Sequence, residues 1–183
     1  MVQPGGLTAS VQGESCSDAL LIVDPQPLFI GLDEHLVSLI RDLALKHQMV
    51  YATRFLNLPG SLYRTALSWQ DGSPEAVGAR IHPQIEEIPH LRVVTKTGYC
   101  PPEALWSEMV AAGVERVHLC GWNLDACVLA AAFSAWDAGI QPVVLADLCS
   151  SSWEGPPGWR ETVLQLIERQ FGSVSKGAPV VGS

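Results

Sequence analysis

The sequence predicts a three-layer α/β/α fold with a mostly parallel central sheet, built as one domain over residues 1–183. Three observations carry this. Short apolar runs alternate along the chain with helical patterns of roughly 10–14 residues, the signature of βαβ units. The runs are continuously apolar, as strands covered on both faces are. No internal repeat or low-complexity linker divides the chain.

Taken in order, residues 1–17 are rich in Gly, Ser and Gln and read as a loose arm. The run ALLIV at 19–23 is a buried parallel strand that ends at Asp24-Pro25. Apolar positions at Leu36, Leu39, Ile40, Leu43 and Ala44 form a helical stripe within Asp33 to Lys46. MVYAT at 49–53 is the second strand, followed by a loop through Arg64. From Trp69 to His90 the pattern is irregular and interrupted by Pro74, Pro83 and Pro89, so loops and a short helix are expected. LRVVT at 91–95 is the third strand, ending at Lys96. Pro102 opens a helix over Glu103 to Ala112 and Gly113 closes it. VHLC at 117–120 is the fourth strand, broken by Gly121. A small-residue helix from about Ala126 to Ala138 follows, stopped by Gly139. PVVLA at 142–146 is the fifth strand, ending at Asp147. A further amphipathic helix runs from Trp159 to Arg169, with an edge strand near Val174 and a frayed tail from Lys176.

Composition narrows the function. Apolar residues make up 48% and charged residues 16%, and the formal net charge is −8 without a basic cluster. That argues against nucleic acid or an anionic membrane as the partner. The five cysteines are odd in number and include no C-x-x-C pair, which speaks against a disulfide framework or a thiolate zinc site. The first ten residues have neither a positive n-region nor an apolar h-region, so a cytoplasmic protein is expected.

Asp24, Lys96 and Cys127 all fall at or just past the C-terminal ends of expected strands, the edge where open α/β sheets bind ligands. Each has a plain structural explanation: a turn cap before Pro25, a solvated lysine, a small buried helix residue. Together they make a chemically sensible set. The carboxylate accepts the thiol proton, the ammonium holds the charges, and the sulfur attacks an electrophilic carbon. Cys127, placed in the first turn of a helix, is expected to be favoured as thiolate by unpaired N–H groups and the helix dipole.

Three segments resemble the isochorismatase-like cysteine hydrolases, the superfamily of nicotinamidases and N-carbamoylsarcosine amidases. These are LLIVD at 20–24, VVTK at 93–96 and GWNLDACV at 121–128, and the likeness runs from about residue 19 to 170. The resemblance implies the isochorismatase-like form of the α/β fold, with Asp24 as base, Lys96 as electrostatic partner and Cys127 as nucleophile. It implies an oxyanion hole from the backbone N–H groups of Asn123 and Cys127, and a cis peptide between Trp122 and Asn123. It also implies a homodimer or homotetramer acting on a small-molecule substrate.

The departures matter equally. Leu124 stands where the signature has Thr, removing a hydroxyl that helps fix the loop. Nicotinamidases carry a metal-binding D-x-H pair after the second strand; here those positions are Phe55 and Asn57, and the histidines are scattered, so no metal and no cofactor is expected. For the pocket, Phe29, Asn57 and Trp122 are the expected substrate contacts. Ser61, Arg54, Cys100 and Asp147 are secondary candidates, Arg54 for an acid near the site or a substrate carboxylate. The reading is a metal-independent cysteine hydrolase of a small amide, carbamoyl or ureido C–N bond through a thioester. Isochorismatase-type hydrolysis of another bond, and a non-catalytic binding member of the fold, stay open as alternatives.

Overall fold

Apolar side chains on both faces of the first strand place it at the centre of the molecule. The structure, a computed structural model, describes residues 17–31, 33–153, 155–172 and 174–175. In chain order the elements are β1 (Ser17–Val23), α1 (Pro27–Ile30), α2 (Glu34–Ala44), β2 (Met49–Phe55), α3 (Leu62–Thr65), a 3-10 turn (Val77–Ala79) and α4 (Pro83–Glu86). Then follow β3 (Leu91–Lys96), α5 (Glu103–Ala111), β4 (Val114–Trp122), a π-helical turn (Leu124–Val128), α6 (Leu129–Asp137), β5 (Gln141–Ser150), α7 (Trp159–Phe171) and β6 (Val174–Ser175).

The strands form one six-stranded sheet of order β3-β2-β1-β4-β5-β6, and every neighbouring pair is parallel. In β1, Ala19, Leu21 and Val23 face the layer of α5, α6 and α7, while Leu20 and Ile22 face α2 and α4. All five are fully buried. Each of the larger ones contributes about 1.5–3 kcal/mol by leaving water, which fixes the register of the whole sheet. In α2 the Asp33 carboxylate accepts from the Leu36 N–H at 3.1 Å and starts the helix. Its buried stripe is Leu36, Val37, Ile40, Leu43 and Ala44. Leu39, expected inside, faces out.

The expected strands are all present but too short in the sequence reading. β2 runs on to Phe55, β4 to Trp122, and β5 past Asp147 to Ser150. Asp147 therefore lies inside a strand, not at its end. The helix expected from Ala126 starts earlier, with the π-helical turn before α6. The N-terminal arm and the C-terminal tail lie outside the described residues, apart from Ser17, which opens β1. Among the described residues, no helix is long and apolar enough to cross a membrane.

Sheet order decides where a ligand can sit. The chain steps outward from β1 through β2 to β3, then returns across β1 to build β4, β5 and β6 on the other side. The two halves diverge above the C-terminal ends of β1 and β4, and such a reversal leaves a crevice. Asp24 follows β1 and the Cys127 turn follows β4, so both border that crevice.

Candidate active site

Asp24 leaves β1 with φ of 48°, in the left-handed region that aspartate tolerates better than most residues. Its neighbour on β2 secures it. Thr53 Oγ1 donates to Asp24 Oδ1 at 2.7 Å and accepts the Asp24 backbone N–H at 2.9 Å. Two residues on, the buried Gln26 clamps the ends of β1 and β2. Its amide donates to the Phe55 and Ala79 carbonyls, and its Oε1 accepts the Phe55 N–H at 2.7 Å.

Lys96 ends β3 and reaches across β2 to the same point. Nζ forms an ion pair with Asp24 Oδ2 at 2.9 Å, and both side chains are only 1% exposed. It also donates to the Gly98 carbonyl at 2.9 Å, the Tyr99 carbonyl at 3.1 Å and Cys127 Sγ at 3.2 Å. Burial alone would push this ammonium down. The Asp24 carboxylate and Cys127 more than reverse that, and its pKa lies above the usual lysine value. Nζ also stands 5.3 Å from the centre of the Phe55 ring.

Cys127 sits in the π-helical turn, where the Asn123 carbonyl accepts from the N–H groups on either side of it, Ala126 at 3.2 Å and Val128 at 3.0 Å. The expectation of a thiolate favoured by a helix start is corrected here. Burial first, and the Asp24 carboxylate second, push the thiol up to about 12, against the pull of Lys96. At rest Cys127 keeps its proton.

The sulfur opens on a cavity of about 210 Å³. Phe29, Phe55, Tyr63, Trp69 and Tyr99 form its aromatic side; Asn123, Ala126 and Ser152 complete it. The rings pack edge to face or stacked, with Phe55 and Tyr63 at 5.0 Å and Phe55 and Trp69 at 5.7 Å. Burial pushes the Tyr63 phenol far up, so it stays protonated. The Trp122–Asn123 peptide is cis, and Asn123 and Cys127 both border the cavity.

Two expected pocket residues stand elsewhere. Trp122 is buried in the core on the α2 side of the sheet, with Leu20, Ile22 and Ile40. Because β4 continues through position 122, the pleat sends this side chain to the face shared with Cys120. Asn57 is a staple: its amide donates to the Trp69 and Asp71 carbonyls at 2.9 and 2.8 Å, and its Oδ1 accepts from Ser61 at 2.5 Å. Arg54, expected to meet an acid or a substrate carboxylate, donates to the Ala79 and Pro74 carbonyls. Cys100 is exposed and Phe29 alone of the three pocket contacts lines the cavity.

Leu124 is fully buried in the apolar core on the α5–α7 side of the sheet. The loop is pinned differently. Asn123 Oδ1 accepts the Ser152 N–H at 2.7 Å and its hydroxyl at 2.9 Å, and the Ser151 hydroxyl donates to Asp125. A metal fits poorly at the positions of the D-x-H pair. The Phe55 side chain has no ligand atom, and the Asn57 amide already donates to two carbonyls and accepts from Ser61. Among the described residues no three His, Cys, Asp or Glu side chains are grouped to share an ion.

The family model of the isochorismatase domain matches residues 18–178. No curated protein matches the chain. Among solved structures, the pyrazinamidase of Pyrococcus horikoshii in complex with zinc is similar, with a TM-score of 0.74 at 18% identity over 88% of this chain and 99% of that one. The N-carbamoylsarcosine amidase of Thermoplasma acidophilum gives 0.74 at 18% over 91% and 99%. Nicotinamidase from Bacillus subtilis gives 0.74 at 18% over 87% and 99%. Likeness at such identity is a likeness of fold; the family model, covering nearly all of the sheet and its helices, goes further. The chain belongs to the isochorismatase family.

Proposed function

We propose that this protein is a cysteine hydrolase that cleaves the C–N bond of a small amide, carbamoyl or ureido group. The observation that carries this reading is the position of Lys96 Nζ, 2.9 Å from Asp24 Oδ2 and 3.2 Å from the Sγ of Cys127, which lines the aromatic cavity. A buried cation shared by a carboxylate and a thiol supports proton transfer between them, because it stabilises whichever of the two carries the negative charge.

The steps balance as follows. Asp24 takes the Cys127 proton as sulfur bonds to the substrate carbonyl carbon. The resulting oxyanion accepts from the backbone N–H groups of Asn123 and Cys127, each worth about 3–4 kcal/mol in the transition state. The C–N bond breaks, the nitrogen leaves with the proton from Asp24, and a thioester remains. Asp24 then takes a proton from water, whose oxygen attacks the thioester carbon. The C–S bond breaks and the Asp24 proton returns to sulfur. Lys96 stays charged throughout.

Ammonia release separates this from hydrolysis of another bond. The purified protein is incubated with primary amides, carbamoyl amines and ureido acids, with a vinyl ether as the contrasting class. Ammonia from the nitrogen compounds is expected, and pyruvate-type product from the ether with no ammonia would replace the reading.

A further inference from the structure

Beside the Cys127 cavity lies a larger groove of about 660 Å³. Its walls include Leu58, Leu62, Ala66 and Leu67, and it shares Tyr63 and Tyr99 with the cavity. The lining residues are all described, and none is charged. Leu62, which opens α3, is 76% exposed and Leu67, just past it, 62% exposed, two large apolar side chains left open to water within six residues. The loop is also held firmly. Asn57 ties it to the Trp69 and Asp71 carbonyls, while Arg64 donates to the Asn57 carbonyl at 2.8 Å and the Ser73 hydroxyl at 2.7 Å. Exposed leucines on a fixed segment make a preformed apolar surface, and the groove meets the Cys127 cavity at Tyr63 and Tyr99, whose rings pack 5.2 Å apart and line both.

Resting on the amide-hydrolase reading, we propose that this groove is the acyl-side subsite of Cys127 and that the substrate is a primary amide bearing an alkyl tail. The small cavity takes the amide group, with its nitrogen toward the polar side formed by Asn123 and Ser152. The tail passes Tyr63 and Tyr99 and lies along Leu58, Leu62 and Leu67. The net reaction adds one water, releases ammonia and leaves a fatty carboxylate. A charged substituent on the tail finds no counter-ion in the groove.

The test uses binding as well as turnover. Butanamide, hexanamide and octanamide are titrated into full-length Cys127→Ala protein by ligand-observed NMR, with light scattering of each variant. A fully buried methylene tightens binding about fourfold and a half-buried one about twofold. The Kd is therefore expected to fall at least tenfold from butanamide to octanamide. Adding Leu62→Asp and Leu67→Asp abolishes that dependence, whereas Val110→Asp, on α5, leaves it intact. A Kd that is flat along the series overturns the proposal. So does a chain-length dependence that survives the two substitutions while the oligomer mass falls, which assigns the groove to a second copy of the chain. Tightening that is lost in the double variant, with no ammonia from octanamide and wild-type protein, leaves the subsite standing and refutes the hydrolysis.

Discussion

Lys96 Nζ lies 3.2 Å from Cys127 Sγ while holding Asp24 at 2.9 Å, so one buried cation serves both partners of the proposed proton transfer. Replacing it by an apolar side chain of similar length leaves a buried carboxylate without its counter-charge. Lys96→Met is expected to cost about 3–5 kcal/mol in urea unfolding and to remove activity together with stability. A variant of unchanged stability would show that the pair is not a buried ion pair.

The protonation of Cys127 gives a second expectation, with an unusual sign. Its thiol is pushed up to about 12 from the usual 9.0, by burial and then by Asp24. Thiolate absorbance from this residue, taken as wild type minus Cys127→Ala, should be missing through pH 9. In Asp24→Asn it should emerge at lower pH, because a raising cause is gone and Lys96 remains. That variant thus gains thiolate and loses turnover.

The same shift sets a pH dependence of stability. A raised folded pKa gives stability that is present below the unfolded value and lost as pH rises through the folded one. Between about 9 and 12, wild type should therefore lose stability faster than Cys127→Ala, measured by denaturant midpoints across that range. Parallel curves would mean that the thiol titrates normally in the folded protein.

Gly121 supports the site from behind. It takes φ of +111°, and a Cβ there would stand 2.3 Å from the Val23 carbonyl oxygen and 2.8 Å from its nitrogen. Gly121→Ala forces β1 and β4 apart just below Asp24. A loss of more than about 3 kcal/mol is expected, against about 1–2 for Gly113→Ala, where φ is +76° and nothing lies within 4 Å. Thermal unfolding of the two variants side by side measures the difference.

Thr53 is the one second-strand hydroxyl bonded twice to Asp24. Thr53→Val keeps the shape and orphans a buried N–H and a carboxylate oxygen. It should destabilise by about 1–3 kcal/mol and lower kcat more than it raises KM. An increase in KM alone would place Thr53 in substrate binding instead.

Much of this was legible from residue order. Continuous apolar runs ending at Asp24 and Lys96, and a glycine break before Cys127, give the sheet and the edge at which the three meet. The fourth strand reads short because Gly121 looks like a breaker, yet Gly121 pairs with Val23 and Cys149. That error misplaced Trp122, since one or two further strand residues decide which face a side chain takes. At Asn57 the turn chemistry of NLPGS suits a staple as well as a pocket contact, and the staple is what its amide forms. The aromatic wall of Tyr63, Trp69 and Tyr99 had no signal, because no periodicity brings two separate loops together. Thr53 and Gln26 were legible only through register, which aligns the ends of β1 and β2.

The central claim is that Cys127 carries the acyl group between loss of nitrogen and attack by water. Wild type mixed with a substrate amide and quenched in acid should show, by intact-mass spectrometry, an adduct of the acyl mass on the peptide containing Cys127, with ammonia released in step. Cys127→Ala should show neither, while keeping the wild-type circular dichroism. Sustained ammonia release by folded Cys127→Ala, or an acyl adduct on another residue, would contradict the account.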